Sequence, residues 1–512
     1  MQRRTFLSGA ALACASRLVP SRRSFAFENP HLLHHLPLDD PHYRCVKSYI
    51  EEAPVPGYQW ASPAAYEAFH DMKYGVRIHW GLYSVAGFAH ESWPFLDLGY
   101  AERAHYNEMY KNWNPTGFDA DEWTSLFSEN GMRMFAFTTK HHEGFSMFDT
   151  RTRVRQRIRW DAAGGPTLEN SDLAYSIMET PFRRDIVKEL CAAGRKRDLR
   201  IALYFSHPDW YDADFRPYAD HPAQVPSSAN LDTEWMESRK RLGRLIWMAP
   251  DPTPEAVTRM MARHRAQIEE LLTNYGDIQM LSLDQWLGPT VWPQLRQTLF
   301  RIRELQPNVM VRARGIGNYG DYYTPEGFIP GSKSNTGMPW MVIYPLASGF
   351  SYDPEAAHYK GAKWIVDNII DTAAKGGSFQ VGIGPDATGR FHPAAIEQVK
   401  QVGAWLKTCG PGIYATRSRD GEHWREGEAI RFTGAKDNQT IYCFALQWPG
   451  KVLNLRTVRP QPDSRISMFG YPDALRWNFD SANGLNIEIP EALAAESRRP
   501  SDYAWGWTIR VG

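Results

Sequence analysis

At 512 residues the chain has room for a large core and for more than one domain. Its 58 basic and 58 acidic residues cancel, which argues against the basic footprint of a nucleic-acid-binding domain. Aromatic residues are abundant, with 19 Trp, 24 Tyr and 24 Phe, a supply that suits a core and equally the ring-face packing of a sugar site.

The N-terminus reads as an export signal. Arg3-Arg4-Thr5-Phe6-Leu7 has the form of a twin-arginine motif and precedes the small-residue apolar run Ser8 to Ala15. That run is too short to cross a bilayer as a helix. Ala13-Cys14-Ala15 and Ser24-Phe25-Ala26 both suit a signal peptidase. Residues 1–26 are therefore expected to be a twin-arginine-type signal peptide, and the chain to be periplasmic or secreted with no membrane span. Cys14 leaves with the signal. Cys45, Cys191, Cys409 and Cys443 show neither zinc-ligand spacing nor a compact disulfide framework, so free buried thiols are expected.

From about Tyr66 to Thr416 short apolar runs alternate with amphipathic stretches. Strands are predicted at Val76–Trp80, Arg133–Thr139, Arg200–Ser206, Ile278–Asp284, Val309–Ala313, Trp340–Tyr344 and Phe379–Ile383. Helical patterns between them include Asp121–Glu129, Arg183–Arg197, Ala256–Asn274, Trp292–Leu305, Lys363–Lys375 and Pro393–Thr408. This alternation implies βαβ units and a parallel sheet. Seven or eight such units predict an α/β fold of the (β/α)8 TIM-barrel type over residues 27–416. No Gly-rich dinucleotide turn follows the first strand. The stretch at about 212–254, rich in Pro and Trp, is long for a connection and is read as a lid or subsite wall, with a surface excursion as the alternative. After Tyr414 short runs of period two, punctuated by Gly, Pro, Asp and Asn, predict a C-terminal antiparallel β-sandwich over residues 417–512.

The polar residues at the predicted strand ends form one constellation. The first strand ends in His79, the second in His141-His142-Glu143-Gly144, and the third carries Tyr204 and Ser206. The fourth ends in Asp284 with Trp286 beyond it, and the fifth in Arg312 and Arg314, followed by Glu326. In an α/β barrel these ends converge on the face where chemistry is built. Histidines, arginines and carboxylates bind sugar hydroxyls, while Trp and Tyr pack a ring face. Glycoside hydrolysis needs two carboxyl groups flanking the scissile bond. Asp284 at a rigid strand end is the nucleophile candidate, and Glu326 on a loop is the acid/base candidate. Adjacent histidines do not converge on one ion, so they are assigned to hydroxyl binding; no metal and no organic cofactor is expected.

Several segments are similar to a known family. They are Tyr74-Gly75-Val76-Arg77-Ile78-His79-Trp80-Gly81, Thr139-Lys140-His141-His142-Glu143-Gly144-Phe145 and Leu203-Tyr204-Phe205-Ser206. Tyr275-Gly276 leading to Asp284, Gly320-Asp321-Tyr322-Tyr323-Thr324-Pro325-Glu326, Pro339-Trp340 and Lys375-Gly376-Gly377 continue the series in order. The chain resembles the α-L-fucosidases of glycoside hydrolase family twenty-nine. The resemblance implies a retaining exo-glycosidase that removes terminal α-L-fucose from glycans by double displacement. It implies Asp284 as nucleophile and Glu326 as acid/base, with His79, His141, His142, Tyr204 and Arg314 at fucose-binding positions. Glu91 and Trp93 resemble the family's Glu-Trp pair, separated here by Ser92. The family's Trp-Phe-Asp-Gly around the nucleophile is Ser282-Leu283-Asp284-Gln285, and its acid after Pro-Trp is Met341. Two alternatives stand beside this reading: the same fold acting on another sugar such as α-L-galactose, and a non-catalytic fucose-binding protein. The expected partner is a fucosylated glycan, with no nucleic acid; the oligomeric state is not read from the sequence.

Overall fold

The computed structural model describes residues 43, 45–216, 218, 220–227, 245–326, 329–330 and 337–512. The predicted signal peptide lies outside the described residues, as do residues 228–244 of the predicted lid.

As far as Cys409 the parallel sheet is built from helices and buried strands that alternate except before the sixth strand. In order these are α1 (Pro63–Met72), β1 (Tyr74–Ile78), α2 (Ala120–Glu129), β2 (Met134–Lys140), α3 (Ile186–Lys196), β3 (Arg200–Ser206), α4 (Pro254–Thr273), β4 (Met280–Asp284), α5 (Trp292–Leu305), β5 (Met310–Val311), β6 (Met341–Pro345), α6 (Ala362–Ala374), β7 (Ser378–Ile383) and α7 (Pro393–Cys409). Local chemistry starts the helices. Thr253 caps α4, its side chain accepting from Ala256 N, with Pro254 in the first turn; Asp119 caps α2 by accepting from Glu122 N.

The seven strands form one curled parallel sheet in the order β6-β7-β1-β2-β3-β4-β5. Consecutive strands are sheet neighbours from β1 to β5 and from β6 to β7, and β7 returns to lie against β1. Pairing sides alternate along each strand, which separates two cores. On β2, Phe135 and Phe137 join the main core shared with the helices, whereas Met134 and Ala136 join a second cluster with Ala202, Met280, Met310 and Met341. Tyr66, Phe69 and Met72 of α1 pack into that second cluster. The sequence reading foresaw up to eight strands; the ladder has seven. Between the outer strands β5 and β6 the segment 321–326 makes isolated bridges instead: Arg312 to Tyr322, Tyr323 to Trp340, and Glu326 to Ile343, all parallel. The Ala313 N–H donates to Tyr322 O at 2.8 Å and Met341 N–H to Tyr323 O at 3.1 Å.

The described part of 212–254 packs beside a hairpin, Val154–Arg159 with Thr167–Leu173, which the sequence reading did not foresee. Ala213, Ala223, Val225 and Ala249 share a small apolar cluster with Ile158 and Trp160.

The C-terminal residues form antiparallel strands β8 (Arg425–Glu426), β9 (Ile430–Gly434), β10 (Thr440–Ala445), β11 (Val452–Leu455), β12 (Ser467–Met468), β13 (Trp477–Asp480), β14 (Gly484–Glu488) and β15 (Trp505–Arg510). One sheet has the order β8-β9-β10-β15-β12 and the other β11-β14-β13. Both contribute to one core, with Phe432, Cys443 and Trp507 from the first and Leu453, Leu485 and Ile487 from the second. Cys191, Cys409 and Cys443 are buried free thiols. No helix among the described residues is long and apolar enough to cross a membrane.

Candidate active site

Asp284 ends β4 and is buried. Its Oδ1 lies 2.6 Å from Arg312 Nη2 and 2.9 Å from Arg314 Nη1. The Tyr204 hydroxyl, from β3, donates to Oδ2 at 2.6 Å. Burial, followed by the Asp284 charge, pushes the Tyr204 phenol well above its ordinary range, so it stays a donor. Arg314 reaches a second carboxylate with its other arm: Nη2 is 2.5 Å from Glu326 Oε2. Burial lowers the Arg314 guanidinium, but the Glu326 and Asp284 charges outweigh it and hold it well above its usual range. One guanidinium thus bridges the two carboxylates. Asp284 is enclosed, whereas the Glu326 side chain is 36% exposed.

His79 and His141 stand beside Tyr204 and His142 beside His141, each with Nδ1 on a hydroxyl. His79 Nδ1 is 2.9 Å from Thr138 Oγ1, His141 Nδ1 is 2.5 Å from Ser92 Oγ, and His142 Nδ1 is 2.7 Å from Ser206 Oγ. Thr138 gives its hydroxyl proton to Ile78 O at 3.1 Å, and Ser206 gives its own to Pro208 O at 3.0 Å. These hydroxyls therefore accept from Nδ1–H, which assigns Nε2 of the neutral His79 ring as an acceptor. Burial holds His79 and His141 well below the usual imidazole range, so both are neutral. Tyr204 stacks on His141 at 5.6 Å and meets His79 edge-on at 5.3 Å. Trp93 meets His142 edge-on at 4.8 Å.

The tight turn after β2 depends on Gly144, at φ +88°, where a Cβ would stand 2.1 Å from Asp209 Oδ1. Asp209 is itself held by Arg263 Nη1 at 2.7 Å and by Lys140 Nζ at 3.5 Å. A buried ion network therefore underlies the two histidines.

Glu91 is buried at φ +47°. Its Oε1 accepts from Phe350 N at 2.8 Å, and its own N–H donates to Ser351 Oγ at 3.0 Å. Burial, then the nearby Glu326 charge, pushes its carboxyl up to about 8. A neutral carboxyl here can donate to a ligand without setting a third negative charge beside Asp284 and Glu326.

Of the residues singled out in the sequence, Asp284, Glu326, Arg314 and Tyr204 are joined by hydrogen bonds, and His79, His141, His142 and Trp93 by ring contacts to that group and to each other. Glu91 joins them through the charges of Glu326 and Asp284. Trp286 is different: it follows Gln285 at φ +62° and is half-buried against the main core. Among the described residues no ring contact or hydrogen bond joins it to the rest of the site. Arg312, placed in the strand-end constellation but given no role of its own, makes the shorter ion pair to Asp284. Its two-residue spacing from Arg314 was the available signal, since alternate residues of an extended segment share a face. Ser282, where a Trp was expected two residues before Asp284, pairs with the Tyr322 hydroxyl at 2.8 Å. Met341 lies in the apolar cluster inside the sheet.

Glu143, next to His142, is buried with His141 Nδ1 3.7 Å from its Oε2, and burial pushes its carboxyl up to about 8 against the lowering effect of its own backbone and of the Ser92 hydroxyl. Between the ordinary carboxyl range and about 8 the folded chain holds a proton here that the unfolded chain has released. Stability from this group is therefore present at low pH and falls as pH rises through that window. Glu143→Gln keeps the shape without the charge. It is expected to match the wild-type melting temperature at about pH 5 and to exceed it at about pH 9; equal values at both would contradict the buried, protonated state.

Two family models match the chain: "Alpha-L-fucosidase" over residues 56–411 and "Alpha-L-fucosidase C-terminal domain" over residues 426–512. The chain is 24% identical to an alpha-L-fucosidase of Branchiostoma floridae, over 92% of this chain and 96% of the relative. It is 25% identical to human tissue alpha-L-fucosidase, over 86% and 88%. Among solved structures it is similar to alpha-L-fucosidase isoenzyme 1 from Paenibacillus thiaminolyticus, with TM-score 0.68 and 23% identity over 88% of this chain and 99% of the other. It is also similar to a Bacteroides thetaiotaomicron alpha-L-fucosidase trapped as a covalent intermediate in complex with 2-fluoro-fucosyl fluoride, with TM-score 0.67 and 19% identity over 89% and 97%.

Proposed function

The chain belongs to the alpha-L-fucosidase family, and from that premise we propose that it removes terminal α-L-fucose from glycans with retention of configuration. The observation that carries the reading is the single guanidinium of Arg314 shared between Asp284 and Glu326. It sets an enclosed carboxylate on a rigid strand and a solvent-facing carboxyl on either side of one point, as glycoside hydrolysis requires.

In the proposed reaction Asp284 attacks the anomeric carbon while Glu326 protonates the departing oxygen. The leaving group departs as an alcohol and a fucosyl ester forms on Asp284. Glu326, now a carboxylate, takes a proton from water as the water attacks the same carbon, which frees fucose and restores both groups. The covalent intermediate trapped in the Bacteroides relative supports this two-step course. His79, His141, His142, Tyr204, Arg314 and Glu91 bind the sugar, with Trp93 against a ring face and Trp286 toward the mouth. Segment 321–326 serves as the eighth stave that completes a (β/α)8-type barrel over residues 27–416, and residues 417–512 form a β-sandwich beside it. The twin-arginine-like N-terminus supports action in the periplasm or outside the cell.

The test is release of 4-nitrophenol from the α-L-fucoside, run beside the α-L-galactoside and the β-D-galactoside. Rapid, fucoside-selective release is expected. Preference for the α-L-galactoside moves the reading to another sugar. Binding of fucose with no release from any substrate moves it to a non-catalytic protein.

A further inference from the structure

The residues just before the span matched by the family model pack against the segment that carries Arg314 and Glu326. Tyr43 is fully buried, and its ring meets Tyr323 edge-on at 6.1 Å. Its hydroxyl accepts from the Thr324 N–H at 3.2 Å. Thr324 is a junction: its carbonyl accepts from Arg314 Nη2 at 3.4 Å, and its Oγ1 accepts from Arg312 Nη1 at 3.3 Å. Those arginines are the ones that hold Asp284, and Arg314 also holds Glu326. One backbone hydrogen bond therefore connects Tyr43 to both arginines and, through them, to both carboxylates.

The same arm braces the preceding turn. Glu51 Oε2 accepts from Trp292 Nε1 at 2.9 Å and from the Tyr319 hydroxyl at 3.2 Å. The Glu52 carbonyl accepts from Asn318 Nδ2 at 2.6 Å, and the Tyr58 hydroxyl donates to Tyr319 O at 2.6 Å. Segment 321–326 is tied to the sheet by isolated bridges rather than by a ladder, so contacts from outside the sheet carry more of the task of fixing its position. A buried N–H left without an acceptor is costly, and the chain shifts to avoid it.

We propose that Tyr43 is a positioning residue for the hydrolytic reaction: through Thr324 it sets where Arg314 presents Glu326 relative to Asp284. The proposal rests on the reading of these two carboxyls given above. It makes the N-terminal arm part of the catalytic assembly.

Tyr43→Phe keeps the ring against Tyr323 and removes the hydroxyl that accepts from the Thr324 N–H. The variant is assayed with 4-nitrophenyl α-L-fucoside and with an alkyl α-L-fucoside, whose poor leaving group depends on protonation by Glu326. The expected result is a kcat about tenfold lower on the alkyl fucoside, the rate equivalent of one hydrogen bond transmitted as misplacement. A smaller loss is expected on the aryl fucoside, with KM changed by less than about twofold on either, because the sugar contacts stay in place. A lower melting temperature with unchanged kcat on both substrates would make Tyr43 merely structural and overturn the proposal. Equal losses on both substrates would also overturn it, because the defect would not lie with the proton donor. An inactive wild-type enzyme overturns the functional reading and this proposal with it, whereas an active wild type matched by the variant overturns this proposal alone.

Discussion

Asp284→Ala is expected to lower kcat on 4-nitrophenyl α-L-fucoside by roughly four to six orders of magnitude, the scale seen when a nucleophile is removed. The side chain stands at a strand end with two guanidinium groups on Oδ1 and a phenol on Oδ2. No neighbouring carboxyl can take its place: Glu326 is on the far arm of Arg314, and Glu91 is held in the protonated range by burial. Truncation also leaves a space beside the anomeric carbon. Azide added at high concentration is expected to enter it and attack from the side that Asp284 occupied, restoring part of the rate. The product is then fucosyl azide of inverted anomeric configuration, since one displacement has occurred instead of two. Full activity in the variant would remove Asp284 from the mechanism. Loss of activity without azide rescue, in a protein that melts as wild type does, would leave Asp284 as a binding residue.

Glu326→Gln is expected to separate substrates by leaving group. With an alkyl fucoside or a glycan, kcat should fall by roughly 10²–10⁴-fold, the usual contribution of general acid catalysis. With 4-nitrophenyl fucoside the first step needs little protonation, so it should proceed, and the slow second step should appear as a burst of 4-nitrophenol. Glutamine keeps a carbonyl oxygen for Arg314 Nη2, so the change removes the proton and the charge more than the contact. Equal losses on good and poor leaving groups would take the acid role away from Glu326 and point to another carboxyl, with Glu91 the nearest candidate by burial and charge.

The strands of the parallel sheet were legible because their signal is local: β1 to β4 are short apolar runs, each preceded by a helix with a capping residue and followed by polar residues. The predicted limits of the fourth, Ile278–Asp284, differ from β4 by two residues at its start and none at its end. Asp284, Tyr204 and the three histidines were legible for the same reason, since chemistry at a strand end interrupts an apolar pattern. What the sequence concealed depends on burial and on distant partners. Glu91 is a plain glutamate in the chain; its raised carboxyl comes from enclosure and from Glu326, more than 200 positions away. Arg312, just after the two-residue β5, was in the constellation, but its ion pair with Asp284 follows only when β4 is laid beside β5. The hairpin Val154–Arg159 escaped notice because its alternating arginines give weak apolar contrast; its outer arginines pair with Asp172, Glu169 and Glu108, contacts that follow only from the fold. Trp286 follows Gln285, whose left-handed backbone turns the chain after Asp284, so closeness in sequence does not fix where its ring stands.

The isolated bridges of segment 321–326 give the two carboxyls different evolutionary freedom. A one-residue insertion within β4 would turn Asp284 to the opposite face of the sheet and reverse the pairing of every residue beyond it. The residue at that position is therefore locked to the register of the whole ladder. Glu326 carries no such constraint. A loop joined at single points can lengthen, shorten or exchange its acidic residue without disturbing a neighbour's register. A lineage built on this scaffold can thus keep its sugar pocket unchanged while adapting, on the other side of the scissile bond, to new aglycones.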